Sequence, residues 1–264
     1  MLIAEIYGKH VPEARNFEDY LTSTVFGHLR YLEPGPFWDV LFGFATSAPV
    51  EGHVLTATAH IQHEMACSLS SFAALDVVFW PEHTLGIPDL VLHFERSQAR
   101  SLVILIEAKL TATKSGKDED DQLARYLRIL DSLSALKPAV PADAFALAVY
   151  LTATDSRSEM IESLQQYGDS AEARRRLYHL QWQDLICAID NVRFVDAFDA
   201  RILDDVRQFL KKRDLEYFSG MENADTMPDF LEAQGEFLEE DPLFDLGLIP
   251  VDLSIIVERW MHAN

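Results

Sequence analysis

This chain is poor in cysteine and short of basic residues relative to its acids. Only Cys67 and Cys187 occur among 264 residues. Two thiols are too few for a disulfide framework and point to a reducing compartment. No apolar run approaches the length that spans a bilayer, and Met1–Tyr7 is too short and too acidic for a signal peptide. The expected location is therefore cytoplasmic, with no membrane partner. Lys and Arg number 22 against 43 Asp and Glu, a net charge of −21, which argues against a general nucleic-acid-coating protein. A Gly-rich phosphate-cradling loop is missing, so P-loop nucleotide hydrolysis is not expected. Ser68, Ser70 and Ser71 lack the glycines of a nucleophile elbow.

What is present is enough apolar material, 48% of residues, for one large domain or a domain with an appended segment. The charge is uneven. From Asp214 to Asn264 thirteen acids face one base, Arg259. This stretch carries Phe230, Phe237, Phe244 and Trp260 among prolines, and reads as a helical C-terminal extension. The expected division is residues 1–213 as an α/β domain and 214–264 as the acidic extension, a candidate docking surface for a protein partner. Basic groups survive locally at Lys109, Lys114 and Lys117, at Arg174–Arg176 and at Lys211–Arg213.

The apolar periodicity predicts a first helix from Asn16 or Asp19 through Arg30, with Phe17, Leu21, Val25, Leu29 and Leu32 as its stripe. Glu33–Pro34–Gly35–Pro36 stops it. Residues 37–71 are harder to read, with a strand expected at His53–Ala59 and a helix at Ala59–Ser70. Leu75–Trp80, Ile87–Phe94 and Leu102–Glu107 read as strands, the last two joined by a polar turn at Arg96–Ser101. Leu102–Glu107 is apolar on both faces and should be central and covered. A helix from an Asp118 cap to about Leu136 and a strand at Ala144–Leu151 follow. Farther on come a helix at Ser156–Tyr167, a strand at Tyr178–Trp182, and helices near Gln183–Asp190 and Asp196–Lys212.

The chemistry gathers at the ends of one hairpin. Pro88–Asp89 opens its first strand, and Glu107–Ala108–Lys109 closes its second. If the turn is centred on Gln98, Asp89 and Glu107 lie opposite each other and point to one face. Lys109, two residues on, returns to that face. Facing carboxylates repel, and a divalent cation removes the conflict. Oxygen ligands favour Mg²⁺ or Mn²⁺, which take further ligands from water and phosphate.

These residues resemble the catalytic motif of the PD-(D/E)xK nuclease superfamily, and Asp121–Gln122–Leu123–Ala124–Arg125–Tyr126 resembles a helix motif that some members carry after it. The resemblance covers roughly residues 17–151. It implies a restriction-endonuclease-like α-β-β-β-α-β core, a mixed central sheet flanked by helices, and metal-dependent hydrolysis of phosphodiester bonds. The substrate implied is nucleic acid, DNA before RNA. It further implies Asp89, Glu107, Lys109 and Gln122 as catalytic, with metal held by Asp89, Glu107 and the Ala108 backbone carbonyl. Glu18 is the acid to match with the first-helix ligand of many members. Lys114, Lys117 and Arg125 are expected to face nucleic acid. Restriction-type chemistry often works as a dimer, so a homodimer belongs to these expectations, and the remainder of the chain is similar to bacterial members serving in genome or phage defence.

Three other readings compete. His60, His63, Glu64 and Cys67 would share one helix face, acceptable zinc chemistry, but no second ligand pair accompanies them. A mixed helix face with Cys67 packed inside explains the spacing more simply. Arg174–Arg176 could meet a phosphate backbone or serve as solvated helix-end charge. The whole chain could also be a catalytically weak or inactive nuclease-fold protein used for binding, a reading motivated by its negative charge.

Overall fold

The computed structural model describes residues 18–110, 114, 121–193 and 196–217. Its core is α/β, a six-stranded mixed sheet flanked by helices. The strands are β1 (Thr46–Ser47), β2 (Ala74–Phe79), β3 (Leu90–Glu95), β4 (Leu102–Lys109), β5 (Phe145–Thr152) and β6 (Leu177–Gln181), in spatial order β1-β6-β5-β4-β3-β2. β2, β3 and β4 form an antiparallel meander. β5 and β6 run parallel to β4, and β1 closes the far edge antiparallel to β6.

β4 lies inside the sheet, and every residue from Leu102 to Ala108 is buried. That burial follows from its sequence. Leu102, Ile104, Ile106 and Ala108 face one apolar cluster, and Val103 and Leu105 face another. On the first face lie α1 (Glu18–Leu29), α2 (Pro36–Phe44), α3 (Ala57–Met65), α7 (Trp182–Asn191) and α8 (Ala197–Lys211). On the second lie α4 (Gln122–Leu130), α5 (Arg157–Tyr167) and the short α6 (Ala171–Arg176). Truncating a fully buried side chain such as Ile104 to alanine is expected to cost about 2–5 kcal/mol.

The α1 stripe is buried as read, at Leu21, Val25, Leu29 and Leu32, while Phe17 lies outside the described residues. The hard-to-read region forms α2, whose Phe37, Trp38, Leu41 and Phe42 are all buried. A helix so apolar carries little periodic signal. No strand forms at 53–59. Thr56 instead caps α3, its hydroxyl accepting from the Ala59 N–H at 3.2 Å, and the helix ends at Met65, with Ala66 left-handed. The helix expected from Asp118 is capped by Asp121 instead and stops at Leu130. Ser132 ends it locally, its hydroxyl bonding back to the Arg128 carbonyl. Asp118 and residues 218–264, which include nearly all of the expected helical extension, lie outside the described residues. Among the described residues no helix is long and apolar enough to cross a membrane.

Candidate active site at the end of the central strand

The β3–β4 register fixes this site. Leu90 pairs with Ile106, Val91 with Leu105 and Phe94 with Leu102, the spacing expected for a turn centred on Gln98, which is itself left-handed. One step beyond Leu90↔Ile106, Asp89 falls opposite Glu107 and Pro88 opposite Ala108. The Asp89 carboxylate takes the place of a ladder acceptor: its Oδ2 lies 2.8 Å from the Ala108 N–H. In a strand pair the N–H and C=O of one residue turn to the same neighbour, so the Ala108 carbonyl opens toward Asp89. Pro88 has no N–H to offer it. Proline before the aspartate thus clears an acceptor beside two carboxylates.

Glu107 is buried, 2% exposed. Its Oε1 accepts from Lys109 Nζ at 2.6 Å and from Gln122 Nε2 at 2.6 Å. Its Oε2 is buried without a hydrogen-bond partner. Such an orphaned carboxylate oxygen is costly unless something outside the chain satisfies it, and the donor set around it suits a hard divalent cation. Asp89 Oδ1 has no partner among the described residues either. No three His, Cys, Asp or Glu side chains converge on a metal position among the described residues. Two carboxylates and a carbonyl leave room for waters and phosphate, the coordination Mg²⁺ commonly keeps.

The supporting residues come from distant parts of the chain. Glu18, in the first turn of α1, accepts from Lys109 Nζ and from the Leu110 N–H, each at 2.9 Å. Each of its oxygens accepts one hydrogen bond, so Glu18 holds the lysine in this structure. Gln122, the first residue of α4, also lies 3.0 Å from the Tyr126 hydroxyl, which donates to the Ile87 carbonyl at 3.1 Å. That network ties α4 to the segment carrying Asp89. Trp182 Nε1 donates to the Lys109 carbonyl at 3.2 Å. The one-turn spacing of Gln122 and Tyr126 in the Asp121–Tyr126 motif agrees with their bond, whereas nothing in the sequence marks the bond from Trp182.

Burial, and next the Glu107 carboxylate, push Asp89 up to about 7. Glu107 is raised as well, by burial, with Lys109 pulling the other way. Burial alone would lower Lys109, but Glu107 and Glu18 outweigh it and hold the ammonium charged. Three carboxylates thus surround one cation.

Comparison with protein-family models, with curated proteins and with solved structures finds no match.

The expected nucleic-acid contacts fare differently. Lys114 is turned inward: its ammonium bonds Asp121 Oδ2 and, at 2.8 Å, the Ser163 hydroxyl. Its N–H donates to Glu159, which also accepts from Tyr150, the β5 partner of Glu107. It is therefore not a surface phosphate contact. Arg125 is half-buried, its Nε without a hydrogen-bond partner, and Lys117 lies outside the described residues. Arg174 is paired with Asp169 and Arg176 with Asp131, which leaves Arg175 exposed in that triplet. The His60–Cys67 face does not form, because α3 ends before Cys67. His60 instead meets the Tyr178 hydroxyl at 2.8 Å, and Cys67 Sγ accepts from Arg96 at 3.3 Å.

Proposed function

We propose that this protein is a metal-dependent nuclease that hydrolyses phosphodiester bonds in DNA, with RNA the less favoured substrate. Glu107 carries the proposal. One of its oxygens is held by two donors, while the other is buried without a hydrogen-bond partner, and Asp89 stands beside it on the neighbouring strand. Asp89, Glu107 and the Ala108 carbonyl are the groups that would hold Mg²⁺ or Mn²⁺. A divalent ion there supplies Lewis acidity toward a phosphate oxygen and a water acidic enough to attack at neutral pH.

The remaining residues have definable parts. Gln122 fixes the Glu107 rotamer so that Oε2 stays open. Glu18 and Glu107 together keep Lys109 charged and aligned, ready to orient the attacking water or to stabilise charge developing on phosphorus. The run of three antiparallel strands, helix and parallel strand (β2-β3-β4-α4-β5) supports the likeness to the restriction-endonuclease-like core, although α2, β1 and α3 intervene between α1 and β2; a role in genome or phage defence belongs to the same proposal. A second reading, a nuclease fold retained for binding, is favoured by the net charge of −21 and by the double ion pairing of Lys109.

The test is cleavage of single-stranded, duplex and branched DNA by the purified protein with and without Mn²⁺. Metal-dependent cleavage that is lost in Asp89→Asn and in Lys109→Ala, with folding intact, is the expected result. Unchanged cleavage in both variants would sink the assignment. No metal binding at millimolar concentration favours the binding module.

A further inference from the structure

The backbone row through Asp89 and Glu107 continues to a third residue. β2 pairs with β3 from Ala74↔Glu95 to Phe79↔Leu90, and one step on, the Trp80 N–H donates to the Asp89 carbonyl at 2.9 Å. Trp80, Asp89 and Glu107 therefore stand side by side across three strands, with neighbouring Cα atoms about 5 Å apart. Trp38 and Trp182 are fully buried, but Trp80 is 44% exposed and nearby Ile87 54% exposed. Phe79 backs the indole, with ring centroids 5.6 Å apart. Ile87 is held in place by the bond from Tyr126 to its carbonyl. Trp80 also has a left-handed backbone, φ 49°, which is rare for a bulky side chain. Strain of this kind collects at functional sites.

The surroundings make such a residue consequential. Lys109 and Lys114 spend their charge on internal carboxylates, and the chain is strongly acidic, so Coulombic attraction for phosphates is weak. Substrate affinity needs a source that is indifferent to charge. Base–aromatic stacking is one, and every nucleobase has a face to stack.

We propose that Trp80 is a stacking platform for an unpaired nucleobase next to the scissile phosphate, which makes single-stranded DNA or an unpaired end the substrate class. The proposal rests on the nuclease reading for what happens at the phosphate, but its binding step stands apart. A base inside a duplex is already stacked on its neighbours and cannot be shared with the indole without being extruded.

The experiment uses the full chain, with oligothymidylate, the same length of abasic strand and a matched duplex as probes, and without metal so that nothing is cleaved. Binding is followed by tryptophan fluorescence and anisotropy in the wild type, Trp80→Ala and Trp80→Tyr. Oligothymidylate should bind the wild type best and quench its fluorescence. Trp80→Ala should weaken that binding about tenfold or more, Trp80→Tyr should keep most of it, and the abasic strand should show no difference among the three. Equal binding of oligothymidylate by wild type and Trp80→Ala overturns the proposal, as does an equal loss on the duplex or no single-strand binding at all. If Trp80→Ala fails to fold, loss of quenching and affinity on the abasic strand in the wild type decides the matter. Trp80-dependent binding without any metal-dependent cleavage would remove the nuclease reading and leave the platform standing. Cleavage confined to duplex, with no single-strand binding, would do the reverse.

Discussion

The Asp89 carboxylate accepts its hydrogen bond from Ala108, the residue directly after Glu107, at 2.8 Å. One contact thereby locks the hairpin ends in register, sets the two acids side by side and turns the Ala108 carbonyl toward them. A side chain has replaced a backbone partner where Pro88 could not provide one.

Stability should depend on pH through Asp89. An acid raised from its ordinary 3.8 to about 7 binds its proton more tightly in the folded chain than in the unfolded one. Its contribution is full below about pH 4 and is lost as pH rises through 7. Asp89→Asn keeps an acceptor for Ala108 and should be more stable than the wild type at pH 8, by on the order of 1–3 kcal/mol, with little difference at pH 4. Thermal unfolding of both proteins across pH 4–8 measures this, and a constant gap would remove Asp89 as the source. Added Mn²⁺ should stabilise the wild type more at pH 8 than at pH 6, because metal and proton compete for one carboxylate.

Lys109 is expected to matter for folding as well as chemistry. Its side chain is 12% exposed and that of Glu107 2%, so Lys109→Met leaves a buried carboxylate without its cation. The expected loss is about 3–5 kcal/mol at neutral pH. Adding Glu107→Gln should recover most of it, since the amide no longer needs a counter-charge. Denaturant unfolding of the two variants checks this, and no recovery would place the loss elsewhere.

Lys114 should act on the site from a distance. It pairs with Asp121, whose other oxygen caps α4 through the Ala124 N–H at 2.9 Å, and α4 opens with Gln122. The variant Lys114→Met/Asp121→Asn keeps a capping side chain and removes both buried charges. It should fold, yet bind Mn²⁺ about tenfold more weakly than the wild type by calorimetry, as loss of outer-shell support commonly does. Unchanged affinity would make Lys114 a residue of stability alone.

Removing residues 221–264 takes away eleven acids and one base. If this segment opposes substrate electrostatically, DNA affinity should rise at low salt, and the gain should vanish near 0.5 M as screening shortens the range. Equal affinity with and without the segment, measured by anisotropy at both salts, rules that role out.

Much of the architecture can be read along the chain because β4 and β5 are apolar on both faces and so mark the covered centre of the sheet. The register rests on the turn centre at Gln98, since a slip of one residue would invert every side chain and a strand apolar on both faces does not by itself oppose it. The misread stretches have local causes. A threonine cap outcompetes strand propensity at Thr56, α2 is too uniformly apolar to show a period, and Asp121 lies three residues beyond Asp118, the cap the sequence suggested.

By itself, the sequence determined the central place of β4 and, given a turn centred on Gln98, the facing of Asp89 and Glu107 and the return of Lys109 to their face, because strand period is a local property. Tertiary structure decided what each charged group does. Glu18 arrives 91 residues before Lys109 and takes hold of it. Lys114 turns inward to Asp121 and Ser163, Gln122 reaches Glu107 across the layer, and Trp80 is left partly exposed. Such pairings depend on how helices pack over the sheet, and no spacing along the chain encodes that distance.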